Sequence, residues 1–147
     1  VDAPRAALDT HDFAPFKALN DLPMGMTAHL VYDAIDPRPA TLSPVMMRLI
    51  REDIGFGGLL MTDDISMEAL SGSVAERGEA ALAAGCDCVL HCNGEMDEMV
   101  ALMRRAGEMS EPARARAEAA LASRTIPAEV DLAELHAERE ALLNGHR

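Results

Sequence analysis

Gly55-Phe56-Gly57-Gly58-Leu59-Leu60-Met61-Thr62-Asp63-Asp64-Ile65-Ser66-Met67 reads as a glycine-rich turn, a short apolar strand and two adjacent carboxylates at the strand's carboxyl end. A continuous apolar run bounded by a turn signal fits a strand buried on both faces of a parallel sheet. In α/β folds, ligands and catalytic groups gather at the carboxyl ends of such strands, where variable loops stand on a rigid scaffold. Neighbouring side chains on a regular strand point to opposite faces, so Asp63 and Asp64 are expected to differ in role, one as reagent and the other as support.

Upstream of this stretch, Met24 to Tyr32 is apolar and β-compatible, interrupted by polar Thr27 and His29. A helix precedes it, capped by Thr10 or Asp12, with Phe13, Phe16 and Leu19 as its buried face; Asp21-Leu22-Pro23 stops it. Asp33 to Leu42 reads as a loop, and Ser43-Pro44 starts a helix that ends at Gly55. Downstream, Ile65 to Leu70 reads as a short helical turn, and Ser73-Val74-Ala75-Glu76 has capping-box spacing for a helix from Val74 to Ala84. Asp87 to His91 is the third strand, Cys92-Asn93-Gly94 a turn, and Met96 to Met109 a helix with Met96, Met99, Val100 and Met103 at i, i+3, i+4, i+7. Helices over Ala113–Arg124 and beyond Pro127 are expected to pack outside, with their charge runs in solvent.

Strands recurring about 30 residues apart with helices between them imply a parallel sheet with right-handed crossovers. Three strands would leave long unpaired edges, so either something else completes the sheet or the chain assembles with another copy.

The 147 residues suit one domain with a core. A net charge of -12 argues against nucleic acid and anionic membrane surfaces as partners. No run approaches the ~20 apolar residues of a membrane helix, and the first residues lack a signal-peptide layout, so a cytoplasmic location is expected. Cys86, Cys88 and Cys92 read as reduced thiols packed in and after a strand; as a metal set they lack a fourth ligand at the right spacing, His91 alone being close. Met24, Met26, Met46, Met47, Met61 and Met67 read as core packing.

The polar residues at the strand ends are His29, Asp63 with Asp64, and His91 with Asn93. An Asp there serves as nucleophile or general base, although spacing alone fits a turn cap equally well. By the same standard, His29 reads first as a satisfied core histidine and Asn93-Gly94 as a plain turn. A different class, a small doubly wound regulatory domain holding Mg²⁺ or a phosphoryl group on Asp63-Asp64, needs a lysine at a strand end; the single lysine, Lys17, lies outside the strands.

Met26-Thr27-Ala28-His29, Asp36-Pro37, Pro39-Ala40-Thr41-Leu42-Ser43-Pro44, Ile50-Arg51, Ile54-Gly55-Phe56, Gly58 through Met67, Ala84-Gly85-Cys86-Asp87 and His91-Cys92-Asn93-Gly94 together resemble the bacterial β-N-acetylglucosaminidases of glycoside hydrolase family 3, in register over about residues 7 to 100. The resemblance implies the C-terminal portion of a TIM (β/α)8 barrel over residues 1–110, with peripheral helices over 111–147. It implies cleavage of terminal N-acetylglucosamine from cell-wall muropeptides with retention of configuration, through a covalent glycosyl-enzyme intermediate. Asp63 falls on the family's nucleophile, and Asp64 becomes the neighbour that points away from the sugar. With it we assign His29 to substrate binding and Asp64 and Asn93 to support, and expect neither metal nor cofactor. The family's acid/base His–Asp pair sits on an upstream Lys-His-x-Pro-Gly-His-Gly loop, and no such motif occurs in this sequence. The expected partners are therefore an N-acetylglucosamine-containing saccharide and either a missing N-terminal barrel part or another copy. The chain alone is expected not to hydrolyse glycosides.

Overall fold

In chain order the computed structural model, which describes residues 1–145, opens with α1 (Arg5–Ala7), a π-helical turn (Leu8–Asp12) and α2 (Ala14–Ala18). Strand β1 (Met24–Met26) is followed by a small antiparallel hairpin, β2 (Val31–Tyr32) and β3 (Asp36–Pro39). Helix α3 (Pro44–Arg48) runs into a second π-helical turn (Leu49–Asp53), and then come β4 (Leu59–Asp64), α4 (Val74–Ala84), β5 (Cys88–Leu90), α5 (Met96–Ala106), α6 (Glu111–Ala122) and α7 (Leu132–Asn144). His146 and Arg147, the end of the expected 111–147 segment, lie outside the described residues.

β1, β4 and β5 form one parallel sheet in that spatial order. Neighbours in space are successive in the chain, with no reversal of order, so the described sheet has no topological switch point of the doubly wound kind. Met24, Gly25 and Met26 pair with Leu59, Leu60 and Met61. Between β4 and β5 the register shifts, from Met61 opposite Cys88 to Asp64 opposite Leu90, so Thr62 and Asp63 together face Val89. This is a bulge, and the Thr62 hydroxyl fills the gap in the ladder by accepting from the Leu90 amide at 2.9 Å.

Local chemistry accounts for the helix boundaries. Ser43 caps α3 by accepting from the Met46 amide at 3.0 Å, with Pro44 at the first turn. Ser73 and Glu76 cap α4 reciprocally as a capping box. At Gly58 the backbone passes so close to the carbonyls of Leu22 and Pro23 that a Cβ would lie 2.6 and 2.7 Å from their oxygens, which only glycine permits.

Leu8, Phe13, Met46, Met47, Leu49, Phe56, Leu60 and Ala81 form the main core, and Ile65, Leu70, Val74 and Leu102 a second cluster. Each large side chain so buried contributes roughly 1.5–3 kcal/mol. At the amino end of the sheet, buried Asp87 accepts from the Leu60 amide (2.8 Å), Arg51 Nη2 (2.8 Å) and Arg116 Nη1 (3.0 Å). Arg51 Nη1 also donates to the carbonyls of Phe56 (2.9 Å) and Gly58 (2.7 Å). This lock ties α3's continuation, β4, β5 and α6 together.

Several expectations need correction. The first helix starts at Arg5, and Thr10 donates to the Ala6 carbonyl instead of capping. Only Phe13 of its expected apolar face is buried; Phe16 is 62% exposed and Leu19 52%. They line an apolar cavity of about 280 Å³ with Leu22, Met24 and Met26, on β1, whose outer edge is unpaired among the described residues. The Met24–Tyr32 strand breaks after Met26, because Thr27 and His29 turn to a buried polar cluster and Val31–Tyr32 pairs with Asp36–Pro39, inside what reads as a loop. Ile65–Leu70 is a pair of turns, and Met24, Met26 and Met67 are exposed while Met46 and Met47 are core. Arg116 leaves the solvated face of α6 to reach Asp87, and α7 buries no residue.

Candidate active site

The carboxyl ends of the three parallel strands carry the polar residues of interest: Thr27 to His29 after β1, Asp63 and Asp64 ending β4, and His91 to Asn93 after β5. The bulge lies at this end. A bulge redirects the strand locally, and it falls on Thr62-Asp63, next to the Asp63-Asp64 pair.

The two aspartates differ in their surroundings. Asp64 Oδ2 accepts from the Ser66 hydroxyl at 2.6 Å, and Oδ1 accepts from the amides of Ser66 (3.0 Å) and Cys92 (3.2 Å). The Ser66 hydroxyl above all holds the Asp64 carboxyl below the usual carboxylate range, with help from the backbone amides and the nearby His91. Asp63 Oδ1 accepts the Asp64 amide at 2.8 Å, and this is the one hydrogen bond of its carboxylate among the described residues. Its amide joins the ladder to the Thr27 carbonyl at 3.2 Å. Asp64 is thus tied into the β4–β5 connection, and Asp63 retains most of its accepting capacity.

His29 Nδ1 lies 2.8 Å from Thr41 Oγ1, and Nε2 lies 2.9 Å from the Asp64 carbonyl oxygen. A carbonyl only accepts, so Nε2 carries a hydrogen. Both ring nitrogens face protein partners. Thr41, fully buried, also lies 2.9 Å from Thr27 Oγ1 and 3.1 Å from the Ala28 carbonyl oxygen. Thr41 had no role in the sequence reading; its only signal was a place in the Ala40-Thr41-Leu42-Ser43 segment of the family pattern.

After β5, the His91 side chain is 5% exposed and its ring makes no hydrogen bond among the described residues, Nε2 standing 3.5 Å from Glu98 Oε2. Asn93 is exposed in the turn, followed by Gly94 with φ 73°. Among the described residues no three His, Cys, Asp or Glu side chains converge as a metal set. Burial pushes the Cys86 thiol up to about 12, and the Cys88 thiol up as well.

The sequence profile described as the glycosyl hydrolase family 3 N-terminal domain matches residues 1–122. The chain belongs to this family. A β-hexosaminidase of Alkalilimnicola ehrlichii is 44% identical over 94 residues, covering 60% of this chain and 27% of the relative. One from Aromatoleum aromaticum is 38% identical over 135 residues, covering 88% and 38%. Among solved structures, the β-N-acetylglucosaminidase of Thermotoga maritima superposes with a TM-score of 0.69 at 31% identity, over 85% of this chain and 31% of that one. NagZ of Neisseria gonorrhoeae, in complex with N-trifluoroacetyl-D-glucosamine, superposes with a TM-score of 0.72 at 30% identity, over 82% and 36%. The chain therefore spans about a quarter to two-fifths of the relatives it matches. The three-stranded sheet is a sector of the family's TIM barrel, which has eight strands when complete.

Proposed function

We propose that this chain is the nucleophile-bearing sector of a retaining β-N-acetylglucosaminidase that removes terminal N-acetylglucosamine from cell-wall muropeptides in the cytoplasm. Asp63 attacks the anomeric carbon and forms the glycosyl-enzyme intermediate; water then releases the sugar. The observation that carries this reading is the contrast within the aspartate pair. One carboxylate, at the bulge that ends β4, keeps its lone pairs available, while its neighbour is committed to Ser66 and Cys92.

The same contrast argues that the acid comes from elsewhere. A general acid must be protonated at working pH, and Asp64 is held below the ordinary carboxylate range, so it stays ionised near neutrality. Leaving-group protonation is worth roughly 10²–10⁴-fold, and this reading assigns it to the missing upstream loop. The partner that supplies that loop would also cover the open edge of β1 and its apolar cavity.

The test joins this chain to the upstream strands of the Thermotoga maritima enzyme and assays an aryl β-N-acetylglucosaminide. Hydrolysis is expected from the fusion and not from the chain alone, and Asp63→Ala is expected to abolish it. Activity that survives Asp63→Ala sinks the nucleophile assignment.

A further inference from the structure

We propose that His29 is a positioning residue: its ring ties the carboxyl end of β4, which carries Asp63, to the buried hydroxyl of Thr41, and it does not contact substrate. The tether itself stands on geometry; its consequence for catalysis rests on the reading of Asp63 as nucleophile.

The hydrogen count defines the arrangement. Nε2 donates to the Asp64 carbonyl at 2.9 Å, so in the neutral ring Nδ1 is bare and must accept. The atom it faces is Thr41 Oγ1 at 2.8 Å, which has one hydrogen to give. That hydrogen goes to Nδ1, the nearer of its two acceptors, the Ala28 carbonyl lying at 3.1 Å, and Thr41 in turn accepts from the Thr27 hydroxyl at 2.9 Å. The chain of donors therefore runs from Thr27 to Thr41 to His29 to Asp64, linking the residue after β1 with the end of β4 through the loop before α3. Thr27 and Thr41 are both buried, so little water competes for these bonds.

The position of the tether matters because the pairing with β5 is irregular there. The bulge sets Thr62 and Asp63 together against Val89, while on the other side the Asp63 amide donates to the Thr27 carbonyl at 3.2 Å. The ring adds a second tie on that side, at the carbonyl of the residue next to Asp63. Misplacement of a reacting group by about 1 Å costs on the order of 10²-fold in rate.

Two measurements test this. In a ¹⁵N-labelled sample of the chain, the His29 ring is expected to show a fixed, slowly exchanging Nε2–H at neutral pH. Thr41→Ser is expected to keep that signal, and Thr41→Val to speed its exchange at least about tenfold. A rapidly exchanging or tautomer-averaged ring in the wild type overturns the tether, as does equal protection in Thr41→Val; if that variant does not fold, the wild-type spectrum decides. In the active fusion, His29→Leu is expected to lower kcat about 10²-fold with KM within about twofold. His29→Gln, which retains an N–H donor toward the Asp64 carbonyl, is expected to recover about tenfold of that loss. A raised KM at unchanged kcat overturns the proposal and makes His29 a sugar contact. An inactive wild-type fusion counts against the glycosidase reading, and the ring spectrum still decides the tether.

Discussion

At the amino end of the sheet the buried carboxylate is saturated with donors, and at the carboxyl end polar groups keep capacity. Asp87 accepts from two guanidiniums and a backbone amide, and Arg51 spans β4's entry with three hydrogen bonds. At the other end of β4 and β5, among the described residues, the Asp63 carboxylate holds a single hydrogen bond and the buried ring of His91 none. The sheet's rigidity comes from the saturated end, and the unsaturated end is where a ligand finds groups with capacity left. In a barrel this is the usual division, stability at the bottom and chemistry at the top.

The strongest way to break the comparison is Asp87→Ala. Removing the shared acceptor strands Arg51, which is only 21% exposed at its side chain, and leaves the Leu60 amide without its partner. Breaking one side of a buried ion pair typically costs about 3–5 kcal/mol. Urea unfolding is expected to show that loss; a change below about 1 kcal/mol would mean the lock does not hold this end.

The thiols on either side of β5 report on the same two ends. Cys86, buried before the strand, has its thiol pushed up to about 12 by desolvation, and Cys92 is exposed after it. Since the thiolate is the reactive form, maleimide labelling at pH 8 is expected to be at least about 100-fold faster at Cys92 than at Cys86. Comparable rates would show that the amino end opens as readily as the carboxyl end.

How much of this was legible in the sequence follows from the range of the interactions. The β4 run, the Ser43-Pro44 start and the Ser73–Glu76 capping box depend on neighbours within a few residues, and all three stand in the structure. The fate of Phe16, Leu19 and Met24 depends on what lies beyond β1, which periodicity does not contain, so apolar spacing implies burial where the structure has an open groove. In the site, the Asp63-Asp64 pair is legible in the sequence, while the bulge at Thr62-Asp63 beside it emerges only when β4 pairs with β5. Thr41 stayed hidden because its partners, Thr27, Ala28 and His29, lie 12 to 14 residues away in the chain.

Asp64→Asn sharpens the contrast within the carboxyl end. Asparagine keeps one acceptor for the amides but puts an NH2 donor where Oδ2 accepts the Ser66 hydroxyl, and a loss of about 1–3 kcal/mol is expected. The pH dependence has a definite sign. Because folding lowers the Asp64 pKa, its contribution is fully present above the unfolded value of about 4 and is lost as pH falls through the lower folded value. The gap between wild type and Asp64→Asn should therefore be constant from pH 5 to 7 and close toward strongly acid pH. A gap that widens on acidification would contradict the hydrogen-bond assignment.

The smallest expected effect on stability belongs to the residue on which the chemistry depends. Asp63 uses one oxygen, as acceptor for the Asp64 amide, and the side-chain carbonyl of asparagine reproduces that bond. Asp63→Asn should therefore change unfolding stability by no more than about 0.5 kcal/mol, while it removes the anionic oxygen that a nucleophile needs. A group held for structure fails this test by costing stability, as Asp87 and Asp64 are expected to do. If Asp63→Asn destabilises the chain as much as Asp64→Asn, both carboxylates belong to the scaffold and the division between the two ends of the sheet does not hold. If stability is unchanged and only the fusion's hydrolysis disappears, the unsaturated carboxylate is there for the substrate.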